Sequence, residues 1–309
     1  MERVRDFLIA EQPTKDFPSI SPEASLQEAL ARMRDEKVAR LRVMENGTCL
    51  GVVHRIDLAV HRERSRLAEE RQRLGAIAER DDMHKRSDDP AMQRHYDDWY
   101  YGVGLRAIDH IKATMRAVGK TEPQRILDLP CGHGRVLRFL KEAFSAAALT
   151  ACDIDRDGVD FCAAEFGATP VYSVENPADI EIEGEFDLIY CGSLLTHVDR
   201  DRWIGFLDLF ERLLAPGGIL VVTTHGRFMA QSMEAEPPVP DTPSFLSEYR
   251  RTGFAYRNYV DQEGYGVSLS SPAWVCALLE RWPTLELAML QERGISQDVY
   301  GCFKRPACA

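Results

Sequence analysis

Nowhere in its 309 residues does this sequence approach the ~18 uninterrupted apolar positions that a membrane-spanning helix needs. The opening stretch, Met1 to Phe17, carries charge throughout and lacks the apolar core of a secretory signal. A cytoplasmic location without a membrane partner is therefore expected. Basic charge is in short supply: 38 Lys and Arg stand against 49 Asp and Glu, a net −11. Neutralising phosphates needs clustered cations, so nucleic acid is not the expected partner, and only a local basic patch has room to exist. The eight cysteines include no Cys-x-x-Cys pair, and the eight histidines show no paired ligand spacing. In a chain of this length the cysteines read as small buried thiols, and neither disulfides nor a metal is indicated. No internal repeat is evident.

What is present is an ordinary globular composition, 45% hydrophobic and 28% charged, with material for one large core or two modest ones. Texture divides it into three zones. Residues 1–62 form a small α/β unit, in which Ser25-Leu26-Gln27-Glu28 is a capping box. Leu26, Ala29, Leu30 and Met33 follow on one helical face. "RLRVM" and "CLGVV" read as strands joined through Asn46-Gly47, the pair best suited to a two-residue hairpin turn, and a second helix starts near Ile56. Residues 63–95 are dominated by charge. They read as a solvated linker helix, or as a short dimerising helix if Leu67 and Leu74 share one seam.

From about residue 96 the chain alternates. "RILDLP", "ALTACDI", "TPVYSV", "FDLIYCG" and "ILVVTTHG" read as strands, and "RVLRFLKEAF", "DGVDFCAAEF" and "RWIGFLDLFERLL" as helices between them. Ala215-Pro216-Gly217-Gly218 reads as a hard turn before the last of these strands. Strand–helix alternation of this length implies a doubly wound, mostly parallel α/β sheet with right-handed crossovers. "LELAMLQER" and "DVYGCFK", with only a short gap between them, break that rhythm and read as an antiparallel edge pair.

In such a sheet ligands bind beyond the carboxyl ends of the strands, where strand order reverses. The first strand–helix turn is Asp128-Leu-Pro-Cys-Gly132-His-Gly134, whose glycines let backbone approach a ligand. A dinucleotide turn requires a third glycine, and that position holds Leu137. An acid opening the turn repels a pyrophosphate but suits a cation. A second acid, Asp153, closes the next strand, where a carboxylate commonly accepts from both hydroxyls of a ribose. An adenosine-type ligand with a cationic amino-acid end satisfies both acids, and S-adenosylmethionine is such a molecule.

Residues 96–309 accordingly resemble a class I S-adenosylmethionine-dependent methyltransferase with a seven-stranded Rossmann-like sheet. The resemblance rests on the acid and Gly-x-Gly of 128–134, Asp153 in "ACDID", "FDLIYCGSLLTHV" at 186–198 and "LLAPGGILVVTT" near 214–224, with Pro130 standing where the family has a glycine. It implies that Asp128, Cys131, Gly132 and Gly134 surround the methionine portion and that Asp153 holds the ribose. Ile154 would pack on the adenine, Val174 and Glu175 would form its rim, and Cys191 and Gly192 would line the sulfonium side. Cys131 and Cys191 read as small, tightly packed residues rather than as reactive thiols.

Methyl transfer from a sulfonium is an in-line displacement with a neutral leaving group, so holding the reactants in line supplies much of the catalysis. A base is needed only where the acceptor must lose a proton. His197, just beyond the fourth strand of the methyltransferase-like region, is the candidate for that role, with local hydrogen bonding as the plainer alternative. Residues 226–274 carry Tyr249, Phe254, Tyr256, Tyr259, Tyr265 and Trp274 and read as an acceptor-binding lid or as an ordinary surface excursion. Tyr96, Trp99, Tyr100 and Tyr101 are candidates to close the pocket from the other side. The expected acceptor is a small-molecule or glycan hydroxyl.

Residues 3–62 resemble a single cystathionine-β-synthase-type (CBS) module. The ligand signature of that family appears as Gly51-Val-Val-His54-Arg-Ile-Asp57, with His54 in place of its hydroxyl residue. One module alone implies pairing with a second chain, hence a homodimer, with or without a bound nucleotide. Two other readings of the whole remain open here: a nicotinamide-dependent oxidoreductase and a non-catalytic sensor of adenosine ligands.

Overall fold

The structure, a computed structural model, describes residues 3–9, 17–294 and 296–306. Contacts divide the chain into two compact units, Met1–Gly75 and Ala76–Ala309.

The first unit contains β1 (Ser19–Ile20), α1 (Leu26–Asp35), β2 (Arg40–Glu45), β3 (Thr48–His54) and α2 (Arg55–Leu74). Its sheet runs β1-β2-β3, parallel then antiparallel. The capping box is formed: Glu28 N–H donates to Ser25 Oγ at 3.2 Å, and Ser25 N–H donates to Glu28 Oε2 at 2.7 Å. Asn46 and Gly47 take φ of 50° and 82°, the left-handed pair that matches the twist of the flanking strands. Val4, Met33, Leu41, Val43, Val53 and Leu58 close a small core.

The charged zone 63–95 is not one helix. Its first part extends α2 as far as Gly75, whose φ of 72° ends the helix. Residues 76–89 are irregular and belong to the second unit. Asp89 then caps α3 (Pro90–Val118), accepting from Ala91 N–H at 2.8 Å, with proline at the first helical position.

The second unit continues with β4 (Arg125–Asp128), α4 (Leu137–Ala143), β5 (Ala148–Asp153), α5 (Arg156–Phe166), β6 (Thr169–Tyr172), β7 (Phe186–Cys191), α6 (Arg200–Leu213) and β8 (Leu214–Thr224). Then come α7 (Arg227–Ala235), α8 (Thr242–Thr252), β9 (Phe254–Asn258), β10 (Gly266–Ser270), α9 (Pro272–Leu279), β11 (Leu285–Gln291) and β12 (Asp298–Lys304). Seven strands lie in the order β11-β12-β8-β7-β4-β5-β6. The five from β4 to β8 are parallel, and β12 pairs antiparallel with both β8 and β11. Order therefore reverses beside β4.

Ala215–Gly218 is absorbed into β8 rather than preceding it, as an irregularity in the register with β7. Strand alternation sorts the two faces. Tyr300 and Cys302 join the cluster built by Trp203, Phe206 and Phe210 of α6 with Val275 of α9, while a Cβ on Gly301 between them would meet Thr114 of α3. The 226–274 insertion forms its own β9-β10 hairpin, whose satellite core includes Phe245, Tyr249 and Leu269.

Candidate active site

β4 and β5 deliver their last residues, Asp128 and Asp153, to the same edge of the sheet. Asp128 is 1% exposed, and neither of its carboxylate oxygens has a hydrogen-bond partner among the described residues. Burial, and after it the charge of Asp153, pushes its pKa well above the ordinary carboxylate range. Asp153 is differently employed. Its Oδ2 accepts from Gly132 N–H at 2.7 Å and its Oδ1 from Asp155 N–H at 3.0 Å, so it braces the turn from below. Gly132 has φ 48° and lies under Met83, whose Sδ a Cβ would meet at 2.8 Å; Gly134 has φ 74° and is pressed against Phe166.

Beyond these acids opens a cavity of about 410 Å³ bounded by Asp128, Gly132, Asp153, Gly192, His197 and Tyr265. Asp153, Ile154 and Tyr265 also border a neighbouring cavity of about 200 Å³, closed by Val174 and Glu175. Ile154 and Val174 leave large apolar surfaces open there, 57% and 45% exposed. Of the residues singled out from the sequence, Asp128, Cys131, Gly132, Asp153, Ile154, Gly192 and His197 share the larger cavity, and Val174 and Glu175 the smaller.

Gly134 and Cys191 are on neither wall. Cys191 is fully buried in the sheet's core cluster, because alternation turns Tyr190 toward the cavity instead. The Cys131 thiol is raised far above its ordinary pKa by its hydrogen bond with Cys162 and by burial, which suits packing and not nucleophilic attack.

The loop after β7 is pinned from three sides. Ser193 N–H donates to Thr223 Oγ1 at 2.8 Å, and Trp203 Nε1–H donates to Leu195 O at 2.8 Å. His197 pairs with Gly266 of β10 through backbone and ring: Gly266 N–H donates to His197 O at 3.1 Å, and His197 Nδ1–H donates to Gly266 O at 2.8 Å. That bond fixes the tautomer with the lone pair on Nε2. Tyr265 stacks on the ring at 4.8 Å. Desolvation lowers the His197 pKa, leaving the imidazole neutral, and His225, 6.3 Å away ring to ring, is pushed down to about 4 by burial and by His197.

Sequence reasoning missed Met83, Arg135, Tyr190 and Ser193, all on the larger cavity. Arg135 directly follows the Gly-x-Gly turn, a position that would have flagged it. Met83, from an irregular segment, left no such signal. Among the insertion's aromatics Tyr265 reaches the cavity, whereas Tyr249 and Phe254 are core. Before β4, Trp99 and Tyr96 line a further space, while Tyr100 and Tyr101 are buried.

Comparison with known families decides between the open readings. The methyltransferase-domain family matches residues 127–220, and the CBS-domain family matches residues 4–63. The chain is a class I S-adenosylmethionine-dependent methyltransferase with an N-terminal CBS module. The nicotinamide and non-catalytic readings are set aside.

The methyltransferase is 26% identical over 199 residues to the fatty-acid O-methyltransferase of Mycolicibacterium smegmatis, covering 62% of this chain and 71% of that protein. A probable phthiotriol/phenolphthiotriol dimycocerosates methyltransferase 2 of Mycobacterium ulcerans is 29% identical over 96 residues, 31% of this chain and 37% of that one. A solved S-adenosylmethionine-dependent methyltransferase from Clostridium acetobutylicum is 14% identical with a TM-score of 0.48, covering 70% of this chain and 98% of its own. Among the described residues no helix is long and apolar enough to cross a membrane, and no group of three His, Cys, Asp or Glu is placed to hold a metal.

Proposed function

We propose that the methyltransferase methylates an oxygen of a small-molecule or glycan acceptor, with His197 as general base. The observation that carries this reading is a neutral histidine, its tautomer fixed, in one cavity with a buried carboxylate that has no internal partner.

S-adenosylmethionine, when bound, supplies an activated methyl group on a positively charged sulfur. The residues present fit it. Burial raises the Asp128 pKa and both of its carboxylate oxygens lack a partner, so a cation beside it would favour the ionised form and supply what the oxygens lack. Asp153 spends one lone pair per oxygen on backbone N–H groups, which leaves capacity for ribose hydroxyls. Ile154 and Val174 offer their exposed apolar faces to a purine, with Glu175 at the rim. Cys131, Gly132 and Gly192 fill the wall with little bulk, which permits close approach. His197 Nε2 would accept the proton that an acceptor hydroxyl loses. Oxygen as the accepting atom is supported by the O-methyltransferase relative.

Incubation with methyl-labelled S-adenosylmethionine and a metabolite extract should yield a labelled product carrying an O-methyl group. Label on nitrogen or carbon overturns the oxygen assignment. No labelled product, from protein that binds S-adenosylhomocysteine, overturns the acceptor class.

The front module is proposed to pair two chains. Ile56 and Val60, one turn apart on α2, are 66% and 42% exposed and support an apolar pairing face. In the ligand signature, Asp57 is exposed and His54 Nε2 is buried without a partner.

A further inference from the structure

The cofactor half of the site carries Asp128, Asp153, Glu175 and Glu263, and the cation lining its smaller cavity, Arg202, is already paired with Asp199 at 2.7 Å. Two further compartments open off the larger cavity on the side of α3. One, of about 70 Å³, is lined by Trp99, Val103, Arg106, Arg135, Tyr190 and Gln297 among others; the second, of about 320 Å³, is lined by Met83, Lys85, His95, Tyr96, Trp99 and Arg135. Among the described residues no Asp or Glu lines either of them. In a chain of net charge −11 this segregation is a local reversal of sign, and Arg135 borders all three spaces.

The state of Arg135 asks for an anion. Among the described residues its guanidinium forms no ion pair and no hydrogen bond, and its Nε is buried without a partner. Asp81, the acid whose charge acts on it, is already engaged by the Tyr100 hydroxyl and by Met83 N–H at 3.1 Å. A planar cation with paired N–H groups matches a carboxylate in particular. Beside it Trp99 is 47% exposed, and Tyr96 carries Lys85 over its ring at 5.9 Å, so the compartment joins apolar surface to positive charge.

We propose that the methyl acceptor is an organic acid whose carboxylate docks on Arg135, with its apolar body against Trp99 and Tyr96. This rests on the cofactor reading above, which places a cationic ligand on the acidic half and leaves the basic half for the second substrate. The amino-acid end of the cofactor carries a carboxylate too, and the test separates the two sources.

The full-length protein, saturated with S-adenosylhomocysteine, is titrated calorimetrically with 4-hydroxybenzoate and with 12-hydroxydodecanoate, each beside its primary amide. At least one acid should bind tenfold or more tighter than its amide. That preference should vanish in R135Q and persist in part in R135K, while S-adenosylhomocysteine affinity in both variants stays within about twofold of wild type. Equal binding of acid and amide, no binding of either acid, or a preference that survives in R135Q overturns the proposal. A tenfold loss of S-adenosylhomocysteine in R135Q overturns it as well, by assigning Arg135 to the cofactor's own carboxylate. Failure of the wild type to bind S-adenosylhomocysteine sinks the cofactor reading beneath it, a separate outcome. R135K, which keeps the charge, guards against a folding defect in R135Q.

Discussion

Asp128 concentrates the electrostatics of this site in one side chain. Its pKa in the fold lies above the ordinary carboxylate value, chiefly through burial, so the native state holds its proton to higher pH than the unfolded chain does. The stability this contributes is fully present below the ordinary carboxylate pKa and is lost as pH rises through the raised native value. In cofactor-free protein, thermal melts should therefore show D128N gaining on wild type as pH rises from about 4. S-adenosylmethionine should narrow the gap, because a cation favours the ionised form. A gap independent of pH would mean that Asp128 titrates like an exposed carboxylate. For His197, H197A should lower kcat by about 10²-fold or more with cofactor affinity little changed. Its lowered pKa puts the acid limb of the wild-type rate profile below the ordinary 6.5, so activity should already be level near neutrality. An H197A enzyme with unchanged kcat would reduce the residue to a loop anchor.

The strand–turn–helix from β4 to α4 was legible because its constraints are local. A short apolar run, an acid and two closely spaced glycines admit few other conformations. What the turn rests on was not legible. Asp153 braces it by accepting from Gly132 N–H across 21 residues of sequence. D153A should therefore weaken S-adenosylhomocysteine binding by about 1 kcal/mol or more, since hydrogen bonds to a charged acceptor are worth at least that. Calorimetry showing unchanged affinity would remove Asp153 from the ribose. The 29-residue α3 and the β9-β10 hairpin escaped the sequence reading, as did the break at Gly75. In the first, aromatic and charged residues blur the helical period. In the second, no tight two-residue turn joins the strands. Cys191 shows the same limit at finer grain, because a strand's inward and outward sides are assigned only when its neighbours are in place.

Across the molecule, the two compact units allow separate tests. Removing residues 1–75 should leave a methyltransferase that binds S-adenosylhomocysteine within a few-fold of the whole chain and is monomeric by light scattering. A dimer that persists would move the interface out of the front module. The sequence by itself determined the kind of sheet, the order of its strands along the chain, the acid-rich turn and the family, because periodicity, turn chemistry and spaced motifs are written within short spans. Only the tertiary structure decided which of the motif residues reach the cavity, that His197 is held in one tautomer by β10, and that cations gather opposite the acids. Those features join residues as distant as 83, 135, 197 and 265, and burial, the physical quantity that sets their charges, has no value until the chain is folded.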